Sequence, residues 1–252
     1  MEIYAMTNQG GRDYMEDFYF HVENFLDEPG CLLAGIFDGH GGEEVASLAA
    51  QKTPVIMAEL LKAGESEDQA FKNCYDRVSG LGEFDEVGST ALCWLIRKNR
   101  IVVANAGDSS IMLAPEDATL TKCLNQLHNT GNMEENERIL KAGGEIEGYY
   151  IYYRGSLGLA VSRSLGDHSH RRAGVICEPE INVYEIPASP IFFIAGSDGL
   201  WEHIDRFVAG EIAQKAGTAE LACKEIFAKV FFNKADDDIE HFDNITLIVI
   251  KV

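Results

Sequence analysis

The sequence predicts an α+β fold in which mixed or antiparallel sheets are covered by helices, and two observations lead there. Short apolar runs of strand length recur along the chain with amphipathic, helix-like text between some of them. The runs are also grouped in meanders rather than in strict strand–helix alternation, which a parallel doubly wound sheet would require.

In chain order, "MEDFYFHV" reads as a strand if its alternation is real, and "CLLAGIF" (31–37) as a buried strand. Apolar residues at helical spacing follow from Glu43 to about Leu61. Ser66 with Gln69 three residues on is a capping-box signal for a helix running to about Val78. "ALCWLI" (91–96), "RIVVAN" (100–105) and "SIMLA" (110–114) are strands. Met133 to Ala142 reads as a helix stopped by Gly143-Gly144. "YYIYYR" (149–154) alternates β-favouring aromatics and reads as a packed strand. "SPIFFIAG" (189–196) is a strand, Thr218 to Phe232 an amphipathic helix, and "NITLIVIKV" (244–252) the last strand.

With 252 residues, no Pro/Ser-rich linker and no repeat, the chain reads as one domain, 1–252. Hydrophobic residues at 46% and charged residues at 25% describe an ordinary globular protein rather than a disordered one. The net charge of −20 would repel a phosphate backbone, so nucleic acid is excluded as a partner. The six cysteines form no C-x-x-C pair and read as small buried hydrophobes in a reducing, cytoplasmic or nuclear setting. "MEIYAM" has neither a signal-peptide pattern nor Met-Gly, and no apolar run approaches the ~20 residues of a membrane span, so no membrane association is expected.

One device recurs four times. Asp38 ends the run "LLAGIF", Asp198 follows "IFFIAGS", Asp108 sits in the turn "NAGDSS", and Asp243 stands just before "NITLIVI". A lone Asp at a strand end is a turn former, because its carboxylate bonds its own turn backbone. Four of them place carboxylates where strand tips can meet. "GGRDYMED" adds Arg12, Glu16 and Asp17; on a strand the last two point to opposite faces, so at most one enters a shared site directly. Crowded carboxylates raise each other's pKa unless cations bind among them. An all-oxygen set, with no His/Cys cage, suits Mg²⁺ or Mn²⁺. Two such ions about 3.5–4 Å apart activate water and clamp an in-line displacement at phosphorus. In "GIFDGHGG", Asp38 would bridge the ions, the Gly39 carbonyl could add a ligand, and His40 would protonate a leaving oxygen. Arg12 would grip the phosphate by its forked donors.

These residues stand in an order that resembles the metal-dependent Ser/Thr protein phosphatases of type 2C, the PPM family. The match is carried by "GGRDYMED", "GIFDGHGGEEVA", "GSTALCWLI", "VVANAGDSS", "EENERILKAGGEI", "RGSLGLAVSRSLGD", "CEPEINVYEI", "FFIAGSDGLWE" and "DNITLIVI". The resemblance implies a four-layer α-β-β-α sandwich, two mainly antiparallel sheets flanked by helices, with a binuclear Mg²⁺/Mn²⁺ site at one end. It implies Asp38 as bridging ligand and the Gly39 carbonyl, Glu16, Asp198 and Asp243 as further ligands, several through water. Arg12 matches the phosphate-binding arginine and His40 the general acid. Asp17 matches an acidic residue behind the ligands, and Asp108 with Asp198 a pair for a third, weaker metal. The implied reaction is direct hydrolysis of phosphoserine and phosphothreonine in protein substrates by metal-bound hydroxide, by a monomer, with about 128–157 as a flap. A family member that has lost catalysis and serves as a binding module is the alternative, against which the retained acids weigh.

Three positions depart from the family pattern. "LHNT" puts Leu127 where an acid is usual and removes a proline, Ser110 replaces an arginine, and Glu202 stands where Asp is common. Two stretches have no assigned role: "HSHRR" (168–172) reads as a solvated loop after the "SRSLGD" motif, and the acidic run before Asp243 as a solubilising loop.

Overall fold

The computed structural model describes residues 1–187, 190–232 and 241–252. The acidic run ahead of Asp243 falls mostly at 233–240, outside the described residues. The elements are β1 (Glu2–Asn8), β2 (Asp17–Glu23), β3 (Leu32–His40), α1 (Glu44–Lys62), α2 (Glu67–Ser79), β4 (Gly88–Ser89), β5 (Ala91–Arg97), β6 (Arg100–Ala106), β7 (Ser110–Ala114) and β8 (Lys122–Cys123). They continue with α3 (Met133–Ala142), β9 (Glu145–Glu147), β10 (Tyr150–Tyr152), β11 (Leu165–Gly166), β12 (Glu180–Glu185), β13 (Phe192–Gly196), α4 (Asp198–Trp201), α5 (Arg206–Ala216), α6 (Ala219–Phe231) and β14 (Ile245–Lys251).

Among the described residues, one sheet runs β11-β4-β3-β5-β6-β12 with β2 also paired to β3, and a second runs β1-β14-β13-β7-β8. Every ladder in both is antiparallel, as the meander pattern predicts. The two-residue period of each strand sorts its side chains into layers. On β3, Leu32, Ala34 and Ile36 join Trp94, Val103, Ile111, Phe193, Ile248 and others in a core between the sheets. Leu33 and Phe37 point the other way, onto Val45, Ala49 and Met57 of α1 and Phe71 and Tyr75 of α2. On the second sheet Phe192, Ile194, Leu247 and Val249 pack against Ala209 and Ala213 of α5 and Cys223, Ile226 and Phe227 of α6. The result is the four-layer α-β-β-α sandwich.

The helices start where their caps stand. Ser66 Oγ accepts the Gln69 N–H of α2, while the Gln69 side chain donates to Asn73 instead of closing the second half of a capping box. Asn132 Oδ1 accepts Glu134 N–H at the start of α3, and Gly143, in the left-handed region, ends it. Three of the longer elements have no strong sequence signal. β1 and β12 lie at sheet edges with mostly half-buried residues, and α5 fully buries only the small residues Ala209, Gly210 and Ala213, with Val208, Ile212 and Ala216 half-buried against the same core.

The stretch expected as a flap, about 128–157, holds α3 and the β9–β10 hairpin, which pack over a small core of Ile139, Ile151, Leu159, Val161, Ala173 and Val175, so the packing reaches past 157. Two readings need correction here. In "YYIYYR" the strand forms, yet its fully buried residue is Ile151, whereas Tyr149 and Tyr150 are exposed. "HSHRR" is not a solvated loop: it opens a 3-10 turn, His168–Ala173, in which His170 is buried and bonds Ser156 Oγ and the Leu157 carbonyl. Arg171 donates from the same turn to the Ser164 and Gly166 carbonyls.

Candidate active site

One cleft of about 340 Å³ opens at the end of the sandwich and is lined by Arg12, Glu16, Asp38, Gly39, His40, Asp108, Asp167, Asp198 and Asp243, with Tyr150 and Leu157 to Val161 also lining it. Asp38 reaches it because it continues the inward phase of Leu32, Ala34 and Ile36 at the point where the core ends. Its N–H donates to Thr90 Oγ1 at 3.1 Å and its carbonyl accepts Thr90 N–H at 2.9 Å, which fixes the strand tip. Gly39 N–H donates to the Glu16 carbonyl, and a Cβ on Gly39 would lie 2.5 Å from that same oxygen, so only glycine lets the Glu16 segment approach. Gly41 and Gly42, both at positive φ, then turn the chain from His40 into α1.

The other residues arrive from separate elements. Asp198 opens α4 at the end of β13, Asp108 sits in the β6–β7 turn, and Asp243 precedes β14. Asp17, directly opposite Asp38 in the β2–β3 ladder, is buried and does not line the cleft; Ser197 Oγ donates to its Oδ2 at 2.9 Å. Arg12, well exposed, donates from Nη2 to Asp243 Oδ2 at 2.5 Å. His40 Nε2 lies 2.8 Å from Asp167 Oδ2.

Burial and mutual repulsion dominate the electrostatics. Burial pushes Asp17 up to about 7 against the pull of the Thr246 and Ser197 hydroxyls, with Asp198 and Asp243 adding to the rise. Asp108 rises to about 7 from burial and the Asp198 charge. Asp38 rises well above the carboxylate range, through burial and then the charges of Asp17, Asp198 and Asp108. Glu202, beside them, is raised by burial, Asp198 and Asp243. Burial alone would lower the His40 imidazole, but the Asp167 hydrogen bond and the charges of Asp167, Asp108 and Glu16 outweigh it and raise it. Among the described residues no three His, Cys, Asp or Glu side chains are drawn in closely enough to hold a metal ion as they stand.

Several residues of this site carry no obvious sequence signal. Asn244 accepts Glu16 N–H at 2.6 Å and donates to the Gln9 and Tyr14 carbonyls, pinning the Arg12–Glu16 segment beside β14. Thr90 and Ser197 hold Asp38 and Asp17. All three are ordinary polar residues whose roles exist only through partners distant in the chain. Of the departures from the family pattern, Ser110 is buried at the start of β7, where its carbonyl accepts from Trp201 Nε1. Leu127 lies outside the cleft, beside the buried His128.

The fold and the ordered set of cleft residues are those expected for the type 2C family, and comparison with known proteins agrees on the family. The chain belongs to the protein phosphatase 2C family, whose model, "Protein phosphatase 2C", matches residues 1–239. It is 30% identical over 252 residues to "Probable protein phosphatase 2C 32" of rice, covering 94% of this chain and 63% of the rice protein. It is 31% identical to "Probable protein phosphatase 2C 2" of Arabidopsis thaliana, covering 92% of this chain and again 63% of the relative. The chain thus spans just under two thirds of the length of these plant relatives. Protein phosphatase 1L of Bos taurus is 29% identical, with 96% and 70% covered. The same fold is found in serine-threonine phosphatase 2C from Toxoplasma gondii, at TM-score 0.82, 21% identity and 99% and 94% coverage. A Caenorhabditis elegans sex determining protein superposes at TM-score 0.79 with 19% identity, covering 98% of this chain and 64% of the other.

Proposed function

We propose that the chain is a metal-dependent protein phosphatase that hydrolyses phosphoserine and phosphothreonine, acting as one catalytic domain over 1–252 with a flap at about 128–157. The observation that carries the reading is the convergence of Glu16, Asp38, Asp108, Asp198 and Asp243 with Arg12 and His40 on one cleft from five separate stretches of chain.

The donor set fits divalent cations. It is all oxygen, it is crowded enough that burial and neighbouring charges raise both Asp38 and Asp198, and Gly39 keeps its carbonyl segment free of a side chain at the closest approach to Glu16. Asp38, the Gly39 carbonyl, Glu16, Asp198 and Asp243 would hold two ions of the Mg²⁺ or Mn²⁺ kind, with Asp108 and Asp198 available to a weaker third and Asp17 supporting Asp38 from behind. Bound there, the ions would supply Lewis-acid charge at phosphorus and activate water for in-line attack. Arg12 binds the phosphate oxygens from the exposed rim, where its bond to Asp243 keeps the guanidinium turned toward the cleft. His40 gives a proton to the departing seryl or threonyl oxygen. Tyr150 and Leu157 face the reacting group and meet the residues that flank it. The six free thiols fit a reducing compartment, and we place the protein in the cytoplasm. No helix among the described residues is long and apolar enough to cross a membrane.

The test is hydrolysis of a phosphothreonine peptide and of p-nitrophenyl phosphate with Mn²⁺, with Mg²⁺ and with EDTA, using Asp38→Ala as control. Turnover that needs metal and is lost in the variant is the expected result. Metal-independent turnover, or near-normal rates in Asp38→Ala, would overturn the reading.

A further inference from the structure

We propose that Asp167 is a positioning residue for this reaction: it grips the His40 imidazole at Nε2 and leaves Nδ1 as the nitrogen that hands a proton to the departing oxygen. The inference rests on the phosphatase reading above and adds a residue for which that reading has no role.

Three independent features point to it. The first is where the carboxylate goes. Asp167 stands at the N-cap position of the His168–Ala173 turn, the place where an Asp side chain ordinarily accepts from the turn backbone, yet it makes no capping bond. It is 1% exposed and reaches across 127 residues of sequence to His40 Nε2 at 2.8 Å. A carboxylate is buried only at a cost, and here its partner is a ring that lines the cleft.

The second feature is the backbone. Asp167 has φ 47 and ψ 45, a left-handed conformation that few side-chain-bearing residues other than Asn and Asp adopt, and Gly166 before it is also at positive φ. The turn is held there from outside, where Asp167 N–H donates to Val87 O at 3.1 Å and His168 N–H to Phe84 O at 2.9 Å, and from within, where His170 N–H donates to Asp167 O at 3.0 Å. The surrounding chain thus fixes a left-handed conformation whose product is the aim of this carboxylate.

The third is the residue between the partners. Gly88 pairs with Gly166 on one side and with His40 on the other. A Cβ at position 88 would collide with the Asp167 carboxyl and lie 2.5 Å from His40 Nε2. Gly88 is not at positive φ, so backbone freedom does not demand glycine there; the space occupied by the Asp–His contact does.

The chemistry follows from the contact. With Nε2–H bound to Asp167, the ring carries its transferable proton on Nδ1. As the bond from phosphorus to the seryl or threonyl oxygen breaks, that oxygen keeps the electron pair and takes the Nδ1 proton. The attacking water adds its oxygen to phosphorus and releases a proton to solvent, and solvent returns one to Nδ1. Asp167 exchanges no proton throughout; it fixes the ring's orientation and tautomer.

The experiment uses Mn²⁺-loaded wild type, Asp167→Asn, Gly88→Ala, His40→Ala and the Asp167→Asn/His40→Ala double variant. For each, kcat and KM are measured on a phosphothreonine peptide, whose alkoxide needs a proton, and on p-nitrophenyl phosphate, whose leaving group does not. General acids contribute ~10²–10⁴-fold, so Asp167→Asn and Gly88→Ala should lose roughly 10–100-fold in kcat on the peptide, with far smaller losses on the aryl ester and little change in KM. The double variant should be no slower than His40→Ala. In ¹⁵N-labelled protein, the His40 Nε2–H proton should be visible in wild type and lost from both Asp167→Asn and Gly88→Ala. Equal losses on both substrates, additive losses in the double variant, or a His40 without an Nε2-bound proton in wild type would each overturn the inference. A wild type that turns over neither substrate would instead overturn the phosphatase reading itself.

Discussion

If the carboxylate cluster holds cations as proposed, the response to metal should depend on pH in a calculable way. Asp17 and Asp108 are raised from an ordinary value of 3.8 to about 7. For an acid raised on folding, the folded state holds the extra proton between the two values, so stability falls as pH rises from 3.8 and is lost in full above about 7. Cations reverse this preference because they bind the ionised form, and protons must leave before they enter. Lowering pH from 7 to 5 takes each carboxyl two units below its folded value and weakens cation binding by about 2.7 kcal/mol per proton displaced, at about 1.36 kcal/mol per unit. In a chain of this size about 1 kcal/mol moves Tm by ~2–4 °C, so the Tm gain from saturating Mn²⁺ over EDTA should shrink by about 5–10 °C between pH 7.5 and 5. Taking the difference between the two conditions at each pH removes groups remote from the cluster. His128 needs that correction, since burial and Arg163 lower it to about 4 and make stability rise with pH between 4 and 6.5. Scanning calorimetry or dye-monitored unfolding across five pH values reads the result directly. A Mn²⁺ gain that is constant with pH, or absent at pH 7.5, would refute the reasoning.

Three further predictions follow from other contacts. Glu135, 2% exposed, accepts from Arg138, Arg163 and Ser162 and ties α3 to the 162–163 segment. Glu135→Gln should cost about 2–4 kcal/mol, seen as lower Tm and faster amide exchange in α3. Burial would raise this carboxyl, but its arginine and serine partners hold it well below its usual value, so the stability it adds persists above pH 4.5 and disappears only in stronger acid; equal exchange rates in wild type and variant at pH 7 would count against the clamp. Asp198→Ala should leave the circular dichroism spectrum unchanged while turnover drops at least a hundredfold, because it removes a cleft oxygen rather than core packing; residual activity within tenfold of wild type would contradict that role. His170→Ala removes the bonds to Ser156 and Leu157 beside the cleft, and at about 1 kcal/mol each it should raise KM for a phosphopeptide ~5–30-fold, with an unchanged KM as the contrary outcome.

Legibility in the sequence tracks how local the responsible physics is. Strands β3, β5, β6, β7, β13 and β14 and helices α1, α2, α3 and α6 announce themselves because periodicity, caps and stop glycines act within a few residues. Strands β1 and β12 do not, since an edge strand buries too little of either face to show a pattern. The Asp and Glu residues of the cleft are legible as strand-tip acids, and their order along the chain resembles that of a known family. What holds them is not: Asn244 reaches Glu16 across 228 residues and Thr90 reaches Asp38 across 52. His170 reads as part of a basic, solvated run because nothing nearby in sequence says that Ser156 and Leu157 will close over it.

The same alternation that builds the core also decides which chemistry enters the cleft. Asp38 faces the gap between the sheets only because it is in phase with Leu32, Ala34 and Ile36, and that phase is locked by their burial against Phe193, Ile248 and Ile250. A slip of one residue in β3 would turn Asp38 toward the helix layer and would expose the apolar residues of the inner face at the same time. On the neighbouring strand phase alone does not decide: Asp17, paired with Asp38, is buried, whereas Glu16, just before β2 begins, lines the cleft. The inter-sheet core therefore does more than stabilise the fold against the repulsion of its own carboxylates. By fixing register it selects, from the many acids of this chain, the few that can meet at one end of the sandwich.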